Sequence, residues 1–208
     1  MTYYPVFLDL RGKKCVIVGG GKVAERKATK LIEAGASLTV VSPELTPVLS
    51  AMKDAGDLVH VERQYTEGDL DGALIAIAAT DDPKRNGEIA ASFEGLINVV
   101  TSPSLCNFIV PSSINRGDLS IAVSTSGVSP ALSRAIRLEL ETLYGEEFRE
   151  YLEFLKGFRE RVQSSPMDDA KREFLLREAG SAGAVVAIRE GKAGSAISAM
   201  NELLRKML

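Results

Sequence analysis

Short apolar segments alternate with stretches of helical spacing along the first hundred residues. The segments predict five strands, at residues 15–18, 37–41, 58–62, 73–79 and 97–100. The segment at 73–79 is almost uninterrupted, as a central parallel strand covered on both faces requires. Helical spacing follows Gly21, the Ser42-Pro43 pair and the Asp82-Pro83 pair, where a capping residue precedes proline in the first turn. Strands that alternate with helices predict an α/β fold with a Rossmann-type parallel sheet.

The pattern changes after residue 111. Residues 113–123 predict a hairpin with its turn at 115–118, and Ser129 with Pro130 begins another helix. Apolar stripes at helical spacing continue to the end of the chain and are typical of a core or a subunit contact. The sequence therefore predicts a Rossmann domain at 1–112, a hairpin-plus-helix region at 113–145 and a small helical domain at 146–208.

Composition and charge narrow the classes of protein. The formal charge of −3 gives no general attraction to nucleic acid or anionic lipid, and the absence of tryptophan argues against a base-stacking surface. Cys15 and Cys106 lack metal-ligand spacing, so they predict free thiols in a reducing compartment and no metal site. With neither a signal-peptide pattern nor an apolar run of ~18 residues, we expect a cytoplasmic protein without a membrane or nucleic-acid partner.

Three consecutive glycines separate the first strand from the first helix. From Gly19 the sequence matches G-x-G-x-x-A, the dinucleotide-binding fingerprint, with Ala24 at the final position. Gly19 would make the turn, and Gly21 would let the backbone approach a diphosphate at the helix N-terminus. Glycine also serves any sharp strand-to-helix connection, so a structural turn is the alternative interpretation.

The residues that follow the second strand bear on the choice of dinucleotide. Many NAD enzymes place an acidic residue there to bind the ribose hydroxyls. Ser42 occupies about that place, followed by Pro43 and Glu44. A serine does not repel a 2′-phosphate, so these residues leave NAD and NADP both open.

Polar residues follow the fourth and fifth strands, whose carboxyl ends face the ligand crevice in open α/β sheets. Thr80, Asp81 and Asp82 end the apolar run, and Thr101 follows residues 97–100. Asp81 and Asp82 are candidates for a function or for capping the next helix, with capping favoured for Asp82. His60, the only histidine, alternates with two valines, which favours the solvent face of a strand over catalysis.

Several motifs in this order and spacing resemble one family, the precorrin-2 dehydrogenases that make sirohydrochlorin, including the N-terminal half of multifunctional sirohaem synthase. The motifs cover roughly residues 3 to 143 and are PVFLDL at 5–10, VGGGKVAERK at 18–27, AATDD at 78–82, NVV at 98–100, FIVP at 108–111 and STSGVSP at 124–130. The resemblance implies an NAD-binding Rossmann domain, a dimerisation region at 113–145 and a homodimer. It also implies oxidation of a tetrapyrrole, precorrin-2, by NAD⁺, and in some members insertion of Fe²⁺.

The resemblance also assigns residues. By position, Lys22 and Val23 match the turn of the family that contacts NAD. We expect Gly19, Gly21 and Thr80 to bind the cofactor as well. Ser42, Pro43 and Glu44 match the segment beside the adenosine ribose.

One residue departs from the family. Members commonly carry an aspartate directly after the Asn-Val-Val strand, implicated in both reactions, where this chain has Thr101. Threonine has no pKa near neutrality and is no general base. We therefore expect that dehydrogenation survives, with water, a carboxylate of the substrate or Asp81 as the alternatives for the proton acceptor. Iron insertion is expected to be weak or absent because two pyrrole protons must leave.

A tetrapyrrole with many carboxylates needs cations or N–H donors. Arg116, Arg134 and Arg137 are candidates, with a solvated surface as the alternative. The loop of Ser124, Thr125, Ser126 and Gly127 offers hydroxyls and backbone N–H groups for the same carboxylates.

Two other classes of function fit parts of the sequence. A Rossmann domain also occurs in regulators that sense NAD without turning it over. An unrelated NAD(P) oxidoreductase acting on a small metabolite is the third possibility.

Overall fold

The computed structural model describes residues 3–208, and the chain divides into two compact units after Val110. The first unit holds a five-stranded parallel sheet in the order β3-β2-β1-β4-β5. Its elements are β1 (Lys14–Val18), α1 (Lys22–Glu33), β2 (Ser37–Val41), α2 (Pro47–Asp54), β3 (Leu58–Val61), β4 (Ile75–Ala78), α3 (Pro83–Ser92) and β5 (Leu96–Val99). The Rossmann-type sheet predicted from the apolar runs is confirmed.

The central strands are buried because both faces of the sheet are covered. Along β1, Cys15 and Ile17 pack on one face with residues of α1, while Val16 and Val18 pack on the other. All four residues of β4 are buried as well. Because these strands are buried on both faces, their sequences are continuously apolar and do not alternate between apolar and polar residues.

The second unit begins with an antiparallel hairpin and continues as helices. Its elements are β6 (Ser112–Arg116), β7 (Leu119–Val123), α4 (Pro130–Leu143), α5 (Glu147–Gln163), α6 (Asp169–Ala179), α7 (Ala182–Arg189) and α8 (Ala193–Met207). Phe158, Val162, Leu175 and Leu204 form part of its core. The Tyr151 hydroxyl donates to the carbonyl oxygen of Ala179 at 2.8 Å, which ties α5 to the end of α6.

Helix α2 begins later than predicted. Its N-cap is Thr46, whose hydroxyl accepts from the backbone N–H of Leu49, and Pro47 fills the first turn. The sequence carries the cap-and-proline signal twice, at Ser42-Pro43 and at Thr46-Pro47. The second position prevails because it brings Leu49 fully into the core, which leaves residues 42–46 as a loop.

The side chain of His60 lies on a different face from the one predicted. His60 is partly buried on the same face of β3 as Leu58, and its Nε2 lies 2.9 Å from the carbonyl oxygen of Ser42. Val59 is the residue of β3 that faces solvent. On α1, Ala24, Ala28 and Leu31 are buried, whereas Val23 is exposed at the first turn.

Among residues 3–208, no helix is long and apolar enough to cross a bilayer.

Candidate functional site

A cleft of about 660 Å³ opens at the carboxyl ends of the central strands of the first unit. It brings together seven residues predicted from the sequence, which are Gly19, Gly21, Ser42, Pro43, Glu44, Thr80 and Asp81. These residues follow β1, β2 and β4, which are neighbours in the sheet. The cleft therefore lies where open α/β sheets bind ligands.

Glycine suits each of the three consecutive positions at the cleft for a different physical reason. Gly19 has φ +119°, and a Cβ there would collide with the carbonyl of Ala79. A Cβ on Gly20 would collide with the carbonyl of Glu44. Gly21 is the N-cap of α1, and no atom lies within 4 Å of the place where its Cβ would be. The first two glycines are required by the fold, whereas Gly21 keeps space open in front of the helix.

The loop after β2 is attached to the glycine turn. The backbone N–H of Thr46 donates to the carbonyl oxygen of Gly20 at 3.0 Å, and the Thr46 hydroxyl donates to the Glu25 carboxylate at 2.8 Å. Ser42 is only 3% exposed, and its hydroxyl donates to the carbonyl oxygen of Glu44 at 2.7 Å. The Glu44 side chain is exposed at the cleft. Of the two side chains, that of Glu44 is the one accessible to a ligand.

The residues after β4 divide between capping and the cleft. Asp82 is the N-cap of α3, and its carboxylate accepts from the backbone N–H groups of Lys84 and Arg85 at 2.9 and 3.2 Å. The capping role favoured for Asp82 is confirmed. Asp81 is exposed and lines the cleft.

Asn86, which the sequence reasoning missed, joins the ends of β4 and β5. Its side chain is fully buried and makes hydrogen bonds with the backbone and hydroxyl of Thr80 and with the hydroxyl of Thr101. Asn86 precedes Ile89 by one helical turn on the buried face of α3. An asparagine on the buried face of a helix indicates a hydrogen-bonded contact in the interior, since buried polar groups are hydrogen-bonded.

Thr101 lies at the same edge of the sheet but not in the lining of the cleft. It is exposed directly beyond β5, and Asn86 Nδ2 donates to its hydroxyl oxygen at 3.2 Å. Thr80, at the other end of the same amide, does line the cleft. The predicted catalytic position is therefore connected to the cleft through one buried side chain.

The sequence reasoning also missed a pair of hydrogen-bonded polar residues at the cleft. Arg85 Nη1 donates to the Gln64 side-chain oxygen at 2.7 Å, and both residues line the cleft together with Tyr65. Arg85 lies on α3, whereas the loop that carries Gln64 and Tyr65 is fixed by Asp69, which accepts from both terminal nitrogens of Arg63 at 2.7 and 2.6 Å. Only the folded loop brings these polar residues, scattered in the sequence, to the rim.

Lys22 and Val23 occupy the first turn of α1, where both are exposed outside the lining of the cleft. Gly21 caps this helix without any side-chain hydrogen bond. The turn thus presents backbone N–H groups and the positive end of the helix dipole, a combination that favours phosphate.

The predicted substrate residues belong to the second unit. Arg116 Nη1 donates to the carbonyl oxygen of Asn115 at 2.9 Å. Its buried Nε forms an ion pair with the Glu146 carboxylate at 3.4 Å but makes no hydrogen bond with any described residue. Arg134 is exposed on α4, and Arg137 pairs with Glu141.

The 124–127 loop of the second unit uses part of its hydrogen-bonding capacity internally. The Thr125 hydroxyl donates to the carbonyl oxygen of Ser129 at 3.0 Å, and Ser124 accepts from the backbone N–H of Ser126 at 3.0 Å. Ser126 and Gly127 both have positive φ, at 54° and 83°. The Ser129 hydroxyl caps α4, as predicted.

Neither cysteine lies among metal-ligating groups. Burial raises the pKa of the Cys15 thiol. Cys106 Sγ accepts from the backbone N–H of Val99 at 3.1 Å, which fixes the loop beyond β5. Among residues 3–208, no group of three or more histidine, cysteine, aspartate or glutamate side chains is placed to hold a metal ion.

The parallel sheet, the glycine turn and the cleft define a nicotinamide-dinucleotide-binding protein of Rossmann type. A family model described as putative NAD(P)-binding matches residues 6–112, about half of the chain, and a model described as sirohaem biosynthesis protein central matches residues 116–143. The chain belongs to this NAD(P)-binding family, and the two adjacent matches confirm the resemblance drawn from its motifs.

Individual relatives agree with the family models. The chain is 42% identical over 178 residues to a siroheme synthase of Chromobacterium violaceum, a match that covers 84% of this chain and 38% of the relative. A siroheme synthase of Methylobacillus flagellatus is 42% identical over 166 residues, 78% of this chain and 36% of that protein. The chain thus spans well under half the length of these curated relatives.

A solved structure matches along its whole length. SirC, a precorrin-2 dehydrogenase, superposes with a TM-score of 0.80 at 28% sequence identity, covering 96% of this chain and 100% of the other. The likeness therefore includes both units of the chain.

Proposed function

We propose that this protein is an NAD-dependent dehydrogenase that converts precorrin-2 to sirohydrochlorin in sirohaem biosynthesis. The observation that carries the proposal is the cleft behind the glycine turn, in a chain that resembles the precorrin-2 dehydrogenase SirC over its whole length. We place the enzyme in the cytoplasm, where its two free cysteines stay reduced.

The residues at the cleft suit a dinucleotide. The empty space in front of Gly21 and the uncapped N-terminus of α1 form a cradle for the diphosphate, which the backbone of Lys22 and Val23 would hold. Ser42, Pro43 and Glu44 would form the wall beside the adenosine ribose, and Thr80 would contact the cofactor from the end of β4. A bound nicotinamide ring supplies the acceptor for the substrate hydride.

NAD is proposed over NADP because of charge at the ribose wall. Residues 42–46 contribute one charged side chain to the cleft, the Glu44 carboxylate, and no lysine or arginine. A carboxylate can bond ribose hydroxyls and repels a 2′-phosphate. Arg85, the cation in the described lining, donates to Gln64 instead.

The protein itself contributes binding, orientation and a proton acceptor. Thr101 has no pKa near neutrality, so Asp81, exposed at the cleft, is the carboxylate that we propose takes the proton left behind by hydride removal. Arg116, Arg134 and the 124–127 loop are proposed to bind carboxylates of the substrate. We also propose a homodimer formed through residues 113–145, which sedimentation velocity would test.

The test is an anaerobic assay of the purified chain with precorrin-2 and NAD⁺. The proposal expects the sirohydrochlorin spectrum and one NADH per product. Binding of NAD⁺ without turnover would instead identify a dinucleotide-sensing module. Turnover of small metabolites with no effect on precorrin-2 would identify an unrelated oxidoreductase.

Iron insertion is proposed to be weak or absent, because Thr101 stands where a base would assist loss of two pyrrole protons. The Thr101→Asp variant supplies a carboxylate at that position. We expect it to insert Fe²⁺ into sirohydrochlorin at least tenfold faster than the wild type, a gain within the usual range for general-base catalysis. Equal rates for the two proteins, followed by absorbance of the iron product, would contradict this part of the proposal.

A further inference from the structure

One buried amide connects the loop ends of β4 and β5. The backbone N–H of Thr80 donates to Asn86 Oδ1 at 3.2 Å, and Asn86 Nδ2 donates to the Thr80 carbonyl oxygen at 3.0 Å. A backbone N–H only donates and a carbonyl only accepts, so these two bonds determine which end of the amide is oxygen. The Thr80 hydroxyl adds a third bond by donating to Oδ1 at 2.7 Å.

The second hydrogen of this amide is directed at Thr101. Nδ2 lies 3.2 Å from the Thr101 hydroxyl oxygen, and because an amide nitrogen donates, that oxygen is the acceptor. Thr101 is exposed, and no described residue accepts its own hydroxyl hydrogen. The arrangement leaves Thr101 with a free O–H donor at the carboxyl edge of the sheet.

The position of this donor relative to the cleft follows from the strand order. The proposed ribose wall follows β2, on one side of β1, whereas Thr80 and Thr101 follow β4 and β5 on the other side. A dinucleotide whose diphosphate lies at the glycine turn extends along this edge. Thr101 thus stands at the end of the edge away from the adenosine side, which is where the proposed function places the reacting ring of the substrate.

We propose that Asn86 is a positioning residue that presents the Thr101 hydroxyl to the substrate as a hydrogen-bond donor. The inference rests on the proposed function and adds a role for this chain's threonine, as a donor to a carboxylate of the tetrapyrrole and not as a base. Turnover depends on this contact because hydride transfer requires a fixed orientation of the substrate.

The primary test removes the Thr101 hydroxyl, which is both the acceptor for Asn86 Nδ2 and the proposed donor to the substrate. Thr101→Val keeps the shape of the side chain, and we expect kcat/KM for precorrin-2 to fall about tenfold, the cost of a hydrogen bond to a charged group. The Kd for NAD⁺ and the shape of the pH–rate profile are expected to stay at wild-type values, whereas the melting temperature should fall because Asn86 Nδ2 loses its acceptor. Thr101→Ser should restore most of the activity, and Ser198→Ala, which removes an exposed hydroxyl on α8, serves as the control.

The role of Asn86 is tested with a single variant and with a double variant that also changes Thr101. Asn86→Asp replaces the Nδ2 donor with an oxygen, and we expect a loss of kcat/KM at least as large as in Thr101→Val, measured per folded molecule. When Asn86→Asp is introduced into the Thr101→Val background, the additional loss should be smaller than in the wild type, because the shared contact is already gone.

The outcomes separate the two proposals. Wild-type turnover in Thr101→Val, equal defects in Thr101→Val and Thr101→Ser, or additive losses in the double variant would overturn the inference while leaving the dehydrogenase intact. A melting-temperature loss in Asn86→Asp without any loss of kcat/KM would show that Asn86 is merely structural. A wild-type chain that does not oxidise precorrin-2 would overturn the proposed function itself.

Discussion

One side of the cleft depends on the absence of side chains, and the other depends on a buried side chain. At the glycine turn, the site depends on side chains that are absent, because neighbouring carbonyls already occupy the positions that a Cβ on Gly19 or Gly20 would take. At the ends of β4 and β5, the site depends on a side chain that is present, since Asn86 bonds both Thr80 and Thr101. Changes at the glycine turn should therefore act on folding and cofactor binding, whereas changes at the Asn86 amide should act on turnover.

Gly19→Ala should have the largest effect on stability. The substitution forces a side chain into φ +119° and against the Ala79 carbonyl, so we expect the free energy of unfolding to fall by about 3 kcal/mol. Denaturant titration measures the loss, and Gly21→Ala is the control because its position is open. An unchanged midpoint would mean that the turn is not as constrained as it is in this structure.

Gly21→Val should separate binding from folding at the same turn. Gly21 has an extended backbone and open space around it, so valine adds no strain but fills the proposed diphosphate cradle. We expect the Kd for NAD⁺ to rise about 100-fold, corresponding to about 2.7 kcal/mol. The free energy of unfolding should fall by no more than about 1 kcal/mol, the cost of a poorer N-cap residue. Isothermal titration calorimetry with NAD⁺ is the measurement, and wild-type affinity would place the diphosphate elsewhere.

Glu44→Gln tests whether the charge at the ribose wall selects the cofactor. The substitution removes the exposed negative charge that faces the cleft, and we expect the Kd for NADP⁺ to fall up to about fivefold, as for other exposed charges. The Kd for NAD⁺ should change little, and Glu94→Gln, exposed beyond α3, is the control. If the ratio of the two Kd values stays at its wild-type level, Glu44 does not select the cofactor.

The smallest effect is expected at the rim loop that carries Gln64. The hydrogen-bonded Arg63 guanidinium holds the pKa of the Asp69 carboxyl below its usual range. A carboxyl with a lowered folded-state pKa stabilises the fold above its unfolded pKa of about 3.9, and this contribution is lost as the pH falls through the folded value.

Asp69→Asn should therefore cost less than about 1 kcal/mol at pH 7, because Arg63 is half exposed. The difference from the wild type should shrink as the pH falls below about 3.9 and through the lowered folded-state pKa of Asp69. Urea titrations across this range measure it, with Asp57→Asn as an exposed control. A difference that grows towards acid pH would contradict the sign.

Much of the fold and part of the cleft could be predicted because their causes are local. The continuous apolar run of β4, the cap formed by Asp82 and the glycines after β1 each follow from neighbouring residues. Helix α2 was placed too early because two cap-and-proline signals lie four residues apart, and only the burial of Leu49 decides between them.

The sequence by itself determined which segments become buried parallel strands and where the chain turns, since continuous apolarity and missing side chains act within a few residues. Tertiary structure alone decided that Asn86 contacts Thr101, fifteen residues away, and that His60 contacts the carbonyl of Ser42. Those contacts exist because the sheet places β4 beside β5 and β2 beside β3. A hydrogen bond between such side chains depends on strand order, which no local pattern of residues encodes.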